Sequence, residues 1–117
     1  MTHTYIFDWN GTLDQLVNPK GFIRALQSKG HKVVIWTGQM EKDNPAFAAA
    51  DAVRSKFSTL REVVTEFRQG WGTNHAFVSD DDDWVAESVE SLKTVIEAGP
   101  VSFIDPRDLK SHLSSLA

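Results

Sequence analysis

The stretch that decides the expected fold is Ile6-Phe7-Asp8-Trp9-Asn10-Gly11-Thr12-Leu13. Its apolar start predicts a buried β-strand over residues 4–9. A carboxylate at the carboxyl end of such a strand lies where open α/β sheets bind their ligands. A glycine shortly after it lets the backbone turn and approach a bound anion closely. The stretch therefore predicts an α/β protein with a binding or catalytic site around Asp8.

Three further apolar runs predict strands, at residues 31–37, 75–79 and 101–104. Helical patterns separate them, at residues 19–29, 45–56, 58–68 and 85–96, with a last short helix from residue 105 through Leu109, Leu113 and Leu116. Strands alternating with helices predict right-handed crossovers and a parallel sheet. Residues 38–58 contain no clear strand. We therefore expect an α/β/α three-layer sandwich with a Rossmann-like parallel sheet of four to five strands.

The composition is that of an ordinary globular domain, with 117 residues, 41% apolar and 24% charged. Its length predicts one domain over residues 1–117. A net charge of −4 argues against general nucleic-acid binding. The sequence has no cysteine, and no apolar run approaches the length of a membrane span. Because the first residues also lack the pattern of a signal peptide, a cytoplasmic protein with no membrane partner is expected.

The segment Asp8–Leu13 resembles the first motif of the haloacid dehalogenase-like (HAD) phosphohydrolases, Asp-x-Asp-Gly-Thr-(Leu/Val), with Asn10 in place of the second Asp. Three later places resemble the family's other motifs in the same order: Thr37-Gly38 after the second strand, Lys56 before a helix, and Phe77-Val78-Ser79-Asp80-Asp81-Asp82-Asp83. The resemblance covers nearly the whole chain. It implies a minimal, capless phosphatase of this type.

The resemblance also implies roles for these residues. Asp8 is the nucleophile that forms an aspartyl-phosphate, and Lys56 offsets the negative charge of nucleophile and phosphate. Mg²⁺ is the implied cofactor, held by Asp8, the backbone carbonyl of Asn10, and Asp80. The phosphate-binding groups are Thr37, Gly38, Trp9 and Gly11. Two choices stay open: whether Asp81 or Asp83 assists the metal, and whether Lys42 takes the place of Lys56.

Asn10 changes the expected chemistry. In the family the second Asp protonates the leaving oxygen and later activates water, and an amide cannot exchange that proton at neutral pH. General acid–base help is worth about 10²–10⁴ in rate. The sequence therefore predicts slow hydrolysis of alkyl phosphates, a preference for good leaving groups, or a persistent aspartyl-phosphate. An engineered Asp-to-Asn substitution would give the same sequence.

Two alternatives come from other functional classes. Asn10 also fits a catalytically silent phosphate- or partner-binding module on the same fold. A receiver domain similar to response regulators likewise places an Asp beside Mg²⁺ in a parallel sheet, although Gly11 and Thr12 directly after the first strand argue against its order of motifs.

The resemblance implies a phosphorylated substrate, small or large. Only residues 14–18 separate Leu13 from the first helix, which leaves no room for an inserted cap domain. Capless members of the family act on large substrates or use a neighbouring subunit as a lid. A monomer or a small homo-oligomer that supplies a lid is therefore expected.

The histidines and tryptophans are not assigned to the site. His3, His31, His75 and His112 lack the spacing of metal ligands, so they are interpreted as surface or strand-edge imidazoles. The tryptophans interpreted as core or rim residues are Trp36, Trp71 and Trp84.

Overall fold

The computed structural model describes residues 2–38 and 44–115. Within these ranges one parallel sheet has the strand order β3-β2-β1-β4-β5. The strands are β1 (His3–Phe7), β2 (Lys32–Thr37), β3 (Ala52–Ser55), β4 (His75–Ser79) and β5 (Val101–Phe103). The predicted α/β class and the parallel sheet are confirmed, and the sheet has the upper of the two expected strand numbers.

Four α-helices flank this sheet in the described part of the chain. They are α1 (Pro19–Ser28), α2 (Leu60–Gly70), α3 (Asp83–Leu92) and α4 (Leu109–Ser115). Short 3₁₀ turns lie at Leu13–Gln15, Pro45–Ala49, Ile96–Ala98 and Pro106–Asp108. Thr59 caps α2, because its Oγ1 accepts a hydrogen bond from the Glu62 backbone N–H at 3.1 Å. None of the described helices has the length and apolarity needed to cross a membrane.

The helices form a layer on each face of the sheet. One apolar cluster joins α2 and α3 to one face, around Trp36, Val64 and Val89. The other joins α1 and α4 to the opposite face, around Tyr5 and Leu26. The continuous apolar runs of β1 and β2 follow from this arrangement, because strands covered on both faces have no polar side.

The prediction of a helix over residues 45–56 is wrong. Asn44 caps a 3₁₀ turn at Pro45–Ala49 by accepting from the Ala46 N–H at 3.0 Å, and the chain then forms β3. β3 pairs with the outer side of β2, with Val53 opposite Ile35. The backbone groups of buried β2 need partners on that side, and this requirement overrides the helix propensity of the alanines.

Two other helix predictions need smaller changes. α3 ends at Leu92, before the predicted end at residue 96, and Ile96 is 92% exposed on the following 3₁₀ turn. The last helix buries Leu109 as expected, with Leu113 packed beside the same cluster. Leu116 lies outside the described residues.

The strand order also bears on the receiver alternative. Receiver domains have the order 2-1-3-4-5, in which the chain reverses its direction of winding after the second strand. Here the reversal follows β3, and β4 lies beside β1. The order matches the dinucleotide-binding type of doubly wound sheet, so the topology argues against a receiver domain.

All four histidines gather at the amino edge of the sheet. His3 pairs in register with His75, and its ring stacks on His31 with centroids 5.0 Å apart. His112 Nε2 forms a hydrogen bond with the Tyr5 hydroxyl at 2.7 Å. The chain spacing concealed this cluster, because each histidine comes from a different element. The cluster lies at the edge opposite to Asp8.

We expect the histidine cluster to reduce stability in acid. Burial is the main cause that lowers the pKa of each histidine, and repulsion from other cations lowers it further. Lys29 adds to this effect on His31, and Lys93 adds to it on His75. Since the unfolded chain then binds more protons, the free energy of unfolding should fall as pH drops below about 6.5.

Thermal melting of wild type and His3→Phe between pH 7.5 and 5 checks this expectation. The substitution keeps an aromatic ring and removes the central charge. The variant should therefore lose less melting temperature on acidification than wild type. Equal losses would contradict a role for the cluster.

Candidate active site

The candidate site lies where β1 and β4 end side by side. Asp8 follows β1 and Asp80 follows β4, and the Asp8 backbone N–H donates to the Ser79 carbonyl at 3.0 Å. The winding direction of the sheet reverses between these two strands. Open α/β sheets bind ligands in the crevice at such a point. Two carboxylates that are 72 positions apart in the sequence are thus held at one crevice.

Lys56 reaches this crevice from the edge strand. It follows β3 directly, and its backbone N–H donates to the Thr37 carbonyl at 3.1 Å. Its Nζ lies 2.8 Å from Asp80 Oδ2 and 3.1 Å from Asp8 Oδ1. Lys56 precedes α2, as expected, but it follows the end of a strand where a helix over residues 45–56 was predicted, and this strand end brings it to the carboxylates. Lys42, the alternative, lies outside the described residues.

A third carboxylate belongs to the same cluster. One oxygen each from Asp8, Asp80 and Asp81 lie within 4.8 Å of one another. Asp83 is instead the first residue of α3 and is not part of this group. Within the described residues the choice between Asp81 and Asp83 therefore favours Asp81.

The Asp80 carboxylate is held at both oxygens. Oδ1 accepts the Asp82 backbone N–H at 3.0 Å, and Oδ2 accepts from Lys56. This side chain is buried, and its orientation is fixed by the turn that begins α3. Neighbouring acids in the run of four therefore do different things. Asp80 presents its carboxylate to Lys56, and Asp82 holds that carboxylate in place through its backbone N–H.

The electrostatics show a site with too little positive charge. Burial, with the charge of nearby Asp80, raises the pKa of Asp8 to about 7, although Lys56 opposes this rise. Burial also raises the pKa of Asp80. For Lys56, burial lowers the pKa, but hydrogen bonds to Asp80 and Asp8 outweigh it and raise the pKa overall. One ammonium group does not balance three carboxylates, so the cluster favours an additional cation.

The donor set fits a magnesium ion. Mg²⁺ prefers oxygen ligands and usually takes one or two carboxylates, with the remaining positions left to substrate and water. Asp8, Asp80 and Asp81 each offer one carboxylate oxygen close enough to the others to share an ion. The backbone carbonyl of Asn10, implied by the resemblance, belongs to the loop beside them.

The loop after β1 is closed by its own backbone. The Trp9 carbonyl accepts the N–H groups of Thr12 and Asp14 at 3.2 and 3.1 Å, and Leu13 is fully buried. Trp9 packs edge-on against Phe47, with ring centroids 5.3 Å apart. Trp9 therefore supports the loop from the side, and the exposed Asn10 lies at its tip.

Gly11 lies directly against the third carboxylate. Its φ is +78°, a conformation that side chains disfavour, and an added Cβ would lie 2.6 Å from Asp81 Cγ. Its N–H donates to Asp14 Oδ1 at 2.8 Å. The glycine is therefore needed both for the turn and for the position of Asp81.

Gly11→Ala should weaken both the fold and divalent-ion binding. The left-handed conformation costs about 1–2 kcal/mol for alanine, and the methyl group must displace Asp81. Urea unfolding and Mg²⁺ titration measure the two effects. Gly70→Ala is the matched control, because no atom lies within 4 Å of its added Cβ and its φ is ordinary. Equal effects of the two substitutions would contradict the assigned role of Gly11.

Thr37 and Gly38 lie at the same edge of the sheet as the carboxylates. Thr37 ends β2, next to β1, and is buried, whereas Gly38 is exposed. Their predicted contact with phosphoryl oxygens stays a prediction. Both positions are compatible with it, because β2 and β1 are neighbours.

Two hydroxyl groups were missed by sequence reasoning. Thr12 Oγ1 and Ser79 Oγ are buried and have no hydrogen-bond partner among the described residues. Thr12 follows Asp8 by four residues and Ser79 directly precedes Asp80. Such buried polar groups usually have partners. The signal was a hydroxyl residue inside the first motif and another at the end of an apolar strand.

Comparisons with known proteins address the fold only. No family model and no curated protein matches the chain. A solved structure described as that of MT0777 matches 98% of this chain and 95% of its own, with 13% identity and a TM-score of 0.51. A single-chain, multi-domain long-chain acyl-CoA carboxylase matches 94% of this chain but 11% of its own, with 17% identity and a TM-score of 0.49. The first likeness concerns the fold, and no argument rests on the second.

Proposed function

We propose that this chain is a Mg²⁺-dependent phosphohydrolase of the haloacid dehalogenase-like type, with Asp8 as nucleophile. The observation that carries the proposal is the contact of the Lys56 ammonium group with both Asp8 and Asp80, beside Asp81. A carboxylate that attacks phosphorus must meet a second anion, and fixed cations make that approach possible. The first-motif resemblance and its order along the chain support the same function.

The reaction has two chemical steps on Asp8. A carboxylate oxygen of Asp8 attacks phosphorus, and the bond from phosphorus to the ester oxygen breaks. Water then attacks the aspartyl-phosphate, which releases inorganic phosphate and restores the carboxylate. Lys56 holds Asp8 in position and offsets charge in both steps, and Thr37 and Gly38 are the proposed ligands of the phosphoryl oxygens. When bound at Asp8, Asp80, Asp81 and the Asn10 carbonyl, Mg²⁺ would supply further positive charge for the phosphoryl group.

Phosphate release from 4-nitrophenyl phosphate tests this proposal. The purified protein should release phosphate with Mg²⁺ and stop when EDTA removes it. Lys56→Met should lose most of the activity, whereas Lys93→Met, which removes a lysine from the exposed Glu90 ion pair, should retain it. Release that continues in EDTA, or an active Lys56→Met variant, would refute the mechanism.

Asn10 favours one second candidate, a phosphate- or partner-binding module without turnover. With Mg²⁺ bound beside Lys56, the same site would retain a phosphate without cleaving an ester. This candidate would be supported if isothermal titration showed binding of inorganic phosphate with Mg²⁺ and the protein released no phosphate from any ester.

A further inference from the structure

A groove between α2 and α3 begins at Lys56. It has a volume of about 530 Å³, which is in the range of small-molecule sites. We call it the aromatic groove, after three of its lining residues, Trp36, Phe57 and Trp84. Lys56 belongs both to this groove and to the carboxylate cluster. The groove therefore meets the proposed phosphoryl site at this one side chain.

Aromatic side chains are unusually exposed along this groove. Phe57 is 101% exposed and Trp84 is 50% exposed. Trp36 is buried beneath them, with its ring 5.9 Å from Trp84 in an edge-on arrangement and its Nε1–H donating to the Ser58 carbonyl at 3.1 Å. Adjacent exposed aromatic rings beside a cavity are typical of a surface that binds an apolar partner. An aromatic ring of a ligand could pack edge-on or stacked against the rings of Trp36 and Trp84 in the same way.

The aromatic groove differs in charge from a second cavity, which Asp80 and Asp81 line. None of the described residues that line the aromatic groove is acidic, and Lys56 and Arg61 are its charged groups. The second cavity, about 420 Å³, is lined by Arg107 and by five carboxylates: Asp80, Asp81, Asp82, Asp83 and Asp105. In a chain of net charge −4, the excess of acids in the second cavity disfavours the apolar body of an anionic ligand there, and the aromatic groove has no such excess.

Under the proposed function, Asn10 takes the position of the proton donor and so restricts the leaving group. Because its amide donates no exchangeable proton to the departing oxygen, the leaving group must be stable as an anion. A phenolate satisfies this condition, whereas an alkoxide does not. The chemistry at the loop tip and the aromatic rings of the groove thus point to the same kind of substrate.

We propose that the substrate is an aryl phosphate monoester whose ring lies in the aromatic groove, an inference that rests on the proposed function. Lys56 Nζ lies 3.1 Å from Asp8 Oδ1 and 5.1 Å from the centre of the Trp36 ring, so one side chain joins the two parts of the site. The phosphoryl group passes to Asp8, and the aryl oxygen leaves as a phenolate that takes its proton from water. A second water cleaves the aspartyl-phosphate.

The binding test uses phenylphosphonate, which this chemistry does not cleave. In ¹⁵N-labelled protein with Mg²⁺, the indole signals of Trp36 and Trp84 should shift on titration, and methylphosphonate should shift them much less. Trp71 is an internal control, because it follows the last residue of α2, packs on Phe67 with ring centroids 4.7 Å apart, and does not line the groove. Shifts that are equal for the two phosphonates, or a shift at Trp71 alone, would overturn the proposal.

The kinetic test compares 4-nitrophenyl phosphate with acetyl phosphate, a good leaving group without a ring. In Trp84→Ala and Phe57→Ala, the ratio of the two kcat/KM values should fall roughly tenfold, the scale of one lost aromatic contact. Val17→Ala is the matched control, because Val17 is 91% exposed and lies outside the groove. An unchanged ratio in both groove variants would overturn the proposal.

The two tests separate failure of the proposed function from failure of this inference. A protein that cleaves neither ester refutes the phosphohydrolase, and an aryl substrate falls with it. A protein that cleaves esters without the selective shifts keeps its function and loses the aryl assignment. Equal shifts with hexylphosphonate would assign the groove to an alkyl chain, and sedimentation showing a dimer that Trp84→Ala dissociates would assign it to a second copy. Either result would overturn the proposal.

Discussion

Asp8→Asn should reduce phosphate release by at least roughly 10³-fold, because removal of a nucleophile leaves only binding and electrostatic assistance. An amide oxygen at this position cannot form the aspartyl-phosphate. The measurement is phosphate release from 4-nitrophenyl phosphate with Mg²⁺, together with mass spectrometry of the denatured protein after quenching. Wild type should carry a phosphoryl group on Asp8, and the variant should not.

The same substitution should stabilise the protein when divalent ions are absent. Burial and the neighbouring Asp80 raise the pKa of Asp8 to about 7, so the folded chain retains a proton that the unfolded chain has lost. The free energy of unfolding therefore falls as pH rises from about 4 to about 7 and stays lower above that. Asn carries no charge and avoids this loss. In EDTA at pH 8, the variant should melt about 5 °C or more above wild type, and the gain should shrink toward pH 4.

Glu90→Gln is the control for this comparison, because Glu90 is an exposed carboxylate paired with Lys93. It should retain activity and show no such pH-dependent gain. An Asp8→Asn variant that remains active would remove Asp8 as the nucleophile. A variant that is less stable than wild type at pH 8 in EDTA would contradict the claim that the charge of Asp8 destabilises the fold in the absence of a metal ion.

Asn10→Asp should raise the hydrolysis of an alkyl phosphate by about 10²–10⁴, the usual value of general acid–base help. The new carboxylic acid can protonate an alkoxide as it leaves and then activate water. A phenolate needs less of this help, so the gain with 4-nitrophenyl phosphate should be smaller. The measurement is the ratio of kcat/KM for glycerol phosphate to that for 4-nitrophenyl phosphate in the two proteins.

The matched control is Asn74→Asp, the same change at an exposed position in the turn before β4. It should leave the ratio unaltered. A gain at position 10 would indicate a complete site that lacks one proton donor. With no gain on either ester, the phosphate- or partner-binding module becomes the better description.

The fold was largely predictable because its signals are local. Residues 31–37 and 75–79 are apolar runs too short for helices, and the stripe from Leu60 to Phe67 repeats at helical spacing. The error was the segment at residues 45–56, where alanine favours a helix. The strand β3 forms there because the outer edge of β2 needs a partner, and a requirement of that kind is not written in the segment itself.

The sequence predicted which residues form the candidate site better than it predicted how they are arranged. Asp8 and Asp80 follow apolar strands, and parallel strands end at one edge, so their proximity could be expected. That Asp81 joins them while Asp83 begins α3 depends on the turn fixed by Asp80 and the Asp82 N–H. The histidine cluster had no signal in the spacing, since it forms from elements that only the fold brings together.

The sequence by itself determined the α/β class, the strand ends that carry acids, and the amide of Asn10, because each depends on local pattern or on residue identity. Only the tertiary structure decided that Lys56 contacts Asp8 and Asp80, that Gly11 lies against Asp81, and that an aromatic groove begins at Lys56. These contacts join β1, β3, β4 and the two helices of one face. Their geometry follows from strand order and packing, and these are properties of the whole chain.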